Sequence, residues 1–178
     1  DEVERVLEEV KERVDRVKRE SEKSLKEVEK LVRTNERLSE RTLKEVRDLV
    51  EDAKKKIDDI KDKETLKRLV DEIVKRLEDI LRENREIVER VLKKLEEIVE
   101  KNERDITEIV ERLRRIVEEV KDAEEVRREI EKLVEDVKRV SDKVVEDIRR
   151  LAEKLRRDNK RAEDEIRKLV RDVERRAK

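Results

Sequence analysis

Valine, leucine, isoleucine and alanine recur in steps of three and four along the chain, and no residue that breaks a helix stands between them. The first segment reads Val3, Leu7, Val10, Val14, Val17, Leu25, Val28, Val32, then Val46, Leu49, Ala53, Ile57, Ile60. A mean step of about 3.5 to 3.6 is the period of an α-helix with one buried stripe. Glycine and proline are both absent, so the turns of a multi-strand β-fold have no residues to make them. What remains is an all-α chain of long helices. The stripe drifts slowly against a strict heptad, which predicts coiled-coil-like helices with a gentle left-handed twist.

Composition supports the helices and removes most chemistry. Lys and Arg number 53, Asp and Glu 54, and together they make up 60% of the 178 residues. So high a charge would mean disorder if the apolar third of the chain were scattered; its helical spacing decides for folding. Glu, Lys, Arg and Leu are strong helix formers, and pairs of opposite charge three or four apart add a few tenths of a kcal/mol each, at ~0.2–0.5. The net charge of -1 lacks the basic field of most nucleic-acid binders and the polybasic attraction to anionic membranes. With no Cys or His there is no disulfide, zinc site or haem ligand, and no cofactor is expected. Aliphatic runs never exceed two residues, too short for a membrane span or a signal-peptide core. The chain is expected to be soluble, and cytoplasmic in a recombinant host. Asp1 comes first and Met is absent, which leads us to expect that an initiator or tag has been removed.

The pattern breaks twice. Five polar residues, Lys61 to Thr65, interrupt the stripe, and it resumes at Leu66 in a shifted phase. Sixty positions on, Val120-Lys121-Asp122-Ala123-Glu124 repeats Ile60-Lys61-Asp62-Lys63-Glu64. In both, Asp suits the N-cap and Glu the first turn, where a carboxylate meets the positive end of the helix dipole. Lys61 and Lys121 would then take the chain-reversal position where Gly is usual, under some strain. The expected architecture is one up-down-up antiparallel three-helix bundle spanning 1–178, with helices over about 2–60, 63–120 and 123–177. At 1.5 Å per residue each helix is about 85–90 Å long. A core of this size implies a thermostable fold.

Reversals at 61/62 and 121/122 place residue i of the first helix level with 123 − i of the second, and residue j of the second level with 243 − j of the third. Asn102 then lies level with Ser21 and Ser141, and Asn84 with Ser39 and Asn159. All six sit within their own helix's apolar stripe. Ser24, Asn35 and Thr42 lie on the same stripe one turn away. Two polar layers follow, Ser21/Ser24/Asn102/Ser141 and Asn35/Ser39/Thr42/Asn84/Asn159. A buried orphan donor or acceptor costs ~1–3 kcal/mol, so such layers make sense as hydrogen-bond networks that fix register and pairing.

Near-equal helices, repeated Lys-Asp-x-Glu turns, aliphatic layers and Asn/Ser layers together resemble de novo designed helical bundles with buried hydrogen-bond networks. The resemblance covers the whole chain and implies a scaffold or assembly component with no catalytic role. Loops without Gly depart from it. A serine hydrolase would need a base beside Ser21, Ser24, Ser39 or Ser141, and the stripe offers almost none. A bundle-core carboxylate metal site uses Glu-x-x-His, and the acids here are expected outside. Leu155-Arg156-Arg157-Asp158-Asn159-Lys160-Arg161-Ala162 is similar to a fragment of a basic-region leucine-zipper helix but lacks the paired alanines, and the core layer already accounts for Asn159. No nucleic-acid partner is expected beyond salt-sensitive adsorption at residues 154–178, where 11 bases meet 6 acids. Membrane-surface binding would need a bulkier apolar face. No partner is required, and a monomer is expected; self-association through the stripe is the alternative.

Overall fold

A computed structural model describes residues 2–120 and 122–178, and these form three α-helices: α1 (Glu2–Asp59), α2 (Lys63–Glu119) and α3 (Glu124–Arg176). Two short connections turn each helix back on the one before it, so the topology is up-down-up. No strand is found among the described residues.

The first connection shows how a chain without glycine reverses. Ile60 donates its amide to Ile57 O at 3.3 Å, tightening the last turn of α1. Asp62 then caps α2: its carbonyl accepts from Leu66 at 3.0 Å, and its carboxylate accepts the Thr65 amide at 3.3 Å and hydroxyl at 2.8 Å. These two bonds, hydroxyl first, hold the Asp62 carboxyl below its usual range. No described non-glycine residue has a positive φ. Lys61 therefore does not carry the left-handed strain expected of it, because residues 60–62 turn within ordinary backbone space. Lys121, its counterpart, lies outside the described residues. The second connection is not a copy of the first. α3 starts at Glu124, and Ala123 O accepts its first helical bond from Arg127 at 3.1 Å. Ala123, not Asp122, holds the cap position, because the Ala123 amide closes a turn onto Val120 O at 3.1 Å and so lengthens the connection.

The chain divides into two compact units, Asp1–Lys30 with Lys93–Ala152 and Leu31–Leu92 with Glu153–Lys178. In the first, Leu7, Val10 and Val14 of α1 pack with Ile106, Val110, Leu113 and Ile116 of α2 and with Ile130 and Val137 of α3. In the second, Val46, Val50, Ala53 and Ile57 pack with Ile73 and Leu77 and with Ile166 and Val173. Each fully buried Val, Leu or Ile contributes about 1.5–3 kcal/mol, so aliphatic burial ties all three helices together in each unit.

Burial has a period finer than the steps of three and four reveal. Buried residues recur 18 apart: Val10, Val28 and Val46; Val14, Val32 and Val50; Leu77, Leu95 and Leu113; Ile130, Ile148 and Ile166. Eighteen residues are five turns of an undistorted α-helix at 3.6 per turn. A stripe of that period keeps to one side of its helix and lies at the upper end of the step of about 3.5 to 3.6 read from the sequence.

Candidate functional site: buried polar groups within the aliphatic core

Every polar side chain placed in this core had to come from a position that elsewhere carries an aliphatic, and the structure shows what each does there. In the first unit the Ser21 hydroxyl donates to Asn102 Oδ1, and Asn102 Nδ2 donates to Ser141 Oγ at 3.3 Å. The three are 1%, 7% and 5% exposed, which makes this a chain of hydrogen bonds across all three helices inside the core. One carboxamide suffices because it carries both an acceptor and a donor. Ser24 does not join. It makes no hydrogen bond among the described residues and instead lines a groove of about 300 Å³ with Glu20, Lys101 and Asn102, where water can reach its hydroxyl.

The second unit is built differently from the expected layer. Asn84 Nδ2 donates to Asn159 Oδ1 at 2.7 Å, and Asn159 Nδ2 donates to Glu163 Oε1 at 3.5 Å, one turn along its own helix. Glu163 is 8% exposed and is gripped by Arg85, whose Nε and Nη2 donate to its two oxygens at 3.2 and 3.3 Å. The Arg167 guanidinium stands 3.6 Å from the same carboxylate. Hydrogen bonding to Glu163, reinforced by its charge, holds Arg85 more firmly protonated than usual. Ser39 and Thr42 are half-buried and bond to neither asparagine. Where two asparagines face each other they pair directly, and a short hydroxyl on the third helix is left out. Ser39 lines a groove beside Glu36, Lys154 and Asp158. Asn35 is 4% exposed, and its Nδ2 has no partner. It is a buried orphan rather than a network member.

Glu163 is the functional residue that expectation missed, since acids were assigned to the outside. The 18-residue period exposes it: Glu163 occupies the position held by Val145 and Arg127 in the preceding blocks of α3. The same alignment explains the layers, because Ser21 and Ser39, Asn84 and Asn102, and Ser141 and Asn159 are each 18 apart. Ion pairing shows another regularity. Lys11–Glu129 and Lys18–Asp136 in the first unit, and Glu36–Lys154 at 3.1 Å, Arg47–Glu165 at 2.6 Å and Asp58–Arg176 at 2.6 Å in the second, all join α1 residue i to α3 residue i + 118. A constant difference is the register of two parallel helices. Bonding to Arg176 holds Asp58 below the usual carboxylate range, and bonding to Lys18 does the same for Asp136.

The described residues include no cluster of three or more carboxylates placed to hold a metal ion, and no described helix is long and apolar enough to cross a membrane. No family model and no curated protein matches the chain. Among solved structures it is similar to a chain described as a computationally designed three helix bundle, at 16% identity over 99% of this chain and 83% of that one, with a TM-score of 0.44.

Proposed function

We propose that this protein is a designed structural scaffold with no natural biochemical activity, in which buried polar groups specify helix register and pairing. The observation that carries the reading is the Ser21, Asn102 and Ser141 chain, which spends three core positions on polarity and bonds one residue from each helix. An aliphatic at each position would be at least as stabilising, so stability alone does not account for them. Register does, because Asn102 finds both partners only when each helix is set against the others within a fraction of a turn. Composition supports the same origin: 60% charge with no Gly, Pro, aromatic, Cys or Met is far from the usage of natural domains. Among the described residues the buried serines, Ser21 and Ser141, bond to Asn102 and not to a base, which supports a structural role for them.

The test compares the protein with a variant in which Ser21, Asn102 and Ser141 are all replaced by aliphatics. Light scattering over a concentration series should give one chain's mass for the parent at micromolar concentration. The variant should resist denaturant better and yet populate higher masses, because uniform layers permit other pairings. A parent that already has the mass of two or more chains would instead make it an assembly module working through the same stripe. A variant as monomeric and uniquely folded as the parent would remove the specificity role.

A further inference from the structure

The near-zero net charge that argues against a nucleic-acid partner is an average over unequal parts. Residues 154–178 carry 11 bases and 6 acids, a surplus of five, so the remainder of the chain carries a deficit of six to reach the total of -1. Ion pairing then sorts the ten of these bases that lie on α3. Lys154 is matched by Glu36, Arg167 by Glu163 and Asp164, and Arg176 by Asp58. Arg156, Arg157, Lys160, Arg161, Lys168, Arg171 and Arg175 are exposed, and none has an acid within ion-pair distance among the described residues.

Six of these seven share one face. At ~100° per residue, Arg157, Lys160, Arg161, Lys168, Arg171 and Arg175 fall within an arc of about 100°, directly opposite the buried Leu155, Ile166 and Val173. Asp164 is the one acid inside that arc, and Arg167 engages it at 3.8 Å. From Arg157 to Arg175 is 18 residues, a straight run of about 27 Å. We propose that this outward face of α3 docks on the phosphate backbone of a duplex nucleic acid, without reading its sequence.

Charge complementarity selects the occupant, and the absences on the face narrow it. Single strands are held by stacking bases on aromatic rings, and the chain has none. An anionic membrane attracts the same cations, but firm binding adds bulky apolar side chains that enter the lipid, whereas this arc holds only charged residues. A rigid row of guanidinium and ammonium groups matches the fixed charges of a duplex, and phosphate contacts position a protein without specifying sequence. With five phosphates neutralised, log K falls against log salt with a slope of about -4.5. Affinity then weakens about 500-fold between 50 and 200 mM salt, just below the range for six to ten phosphate contacts.

The experiment is fluorescence anisotropy of labelled 25-base-pair DNA duplexes of two unrelated sequences, titrated with the full chain across a salt series. Both duplexes should bind alike at low salt, with the steep slope above. Reversing Arg157, Arg161, Lys168 and Arg175 to Glu should weaken binding at least tenfold. Reversing exposed Lys67, Arg68, Lys75 and Arg76 of α2 changes net charge equally and should weaken it far less. Circular dichroism of both variants confirms that they fold. No binding at low salt, equal losses from the two quadruple variants, a strong preference between the duplexes, or tighter capture of a single strand or of anionic vesicles would each overturn the proposal.

Discussion

Replacing Asn102 by Leu and Asn35 by Val should move stability in opposite directions, although both remove a buried asparagine from the same kind of stripe. Asn102 accepts from Ser21 and donates to Ser141. Leucine at 102 leaves both hydroxyls facing an aliphatic, at ~1–3 kcal/mol for each orphan. Two effects offset this: Ser can bond back to its own helix carbonyl, and a buried Leu returns about 1.5–3 kcal/mol. The expected net is a loss of about 1–2 kcal/mol. Asn35 begins from the other side, because its Nδ2 is already buried without a partner. The positions 18 residues before and after it hold Val17 and Ala53, so the site accepts a small aliphatic. Removing the orphan should gain about 1–2 kcal/mol. The two variants therefore separate by roughly 3 kcal/mol, well outside the error of a urea or guanidinium titration. Equal shifts of the same sign would mean that the hydrogen bonds at Asn102 carry no weight. A loss at Asn35 would mean that its carboxamide is satisfied in solution, by water for example.

Glu163→Lys should be far more damaging than Glu163→Val. The first puts a third cation between Arg85 and Arg167 at an 8% exposed position, for a loss of about 3–5 kcal/mol in a denaturant titration; the second restores the aliphatic found at Val145 and releases two half-exposed arginines to water, for a change within about 1 kcal/mol. Acid should weaken the fold through Asp58, Asp62 and Asp136, whose carboxyls are all held below their ordinary value of 3.8. A depressed folded value means that the stabilisation is complete above 3.8 and is lost as pH falls through the lower folded values. The denaturation midpoint should therefore be flat from neutrality to about pH 5 and drop below that range, with a smaller drop in Asp62→Asn.

Helix positions were legible because aliphatic spacing is a one-dimensional signal and nothing interrupts it. The first layer was legible for the same reason: Ser21, Asn102 and Ser141 satisfy two reversal sums, and each is compact enough for level alone to decide contact. The second layer was not, because level does not decide between competing partners. Asn84 and Asn159 satisfy each other at 2.7 Å, and Glu163 is drawn inward by Arg85 from a position whose residue type argues for the outside. Charge pairing is legible only in part, for a similar reason. Counting acids and bases at i + 3 and i + 4 finds the local pairs Asp79–Arg82 and Glu146–Arg150, but the interhelical set at i + 118 appears only when two distant segments are compared.

The 18-residue period sharpens what the polar groups must prevent. Blocks such as Leu7, Val10, Val14 recur as Leu25, Val28, Val32 and again as Leu43, Val46, Val50, so sliding one helix by 18 residues would set like aliphatics against like. Slips of α2 by four, seven or eleven residues are different, because each moves Asn102 away from both serines and opposite aliphatics, at ~1–3 kcal/mol for every group orphaned. The polar residues thus penalise the small slips that a repetitive stripe leaves cheap. They penalise the 18-residue slip only in part, since Ser21 would then meet Asn84 while Ser39 and Asn102 lost their levels. That slip is blocked by covalent geometry instead. The three residues 60–62 between α1 and α2 cannot span the roughly 27 Å by which the helix ends would part. Register is therefore fixed at two scales, by hydrogen bonds within a block and by short connections between blocks.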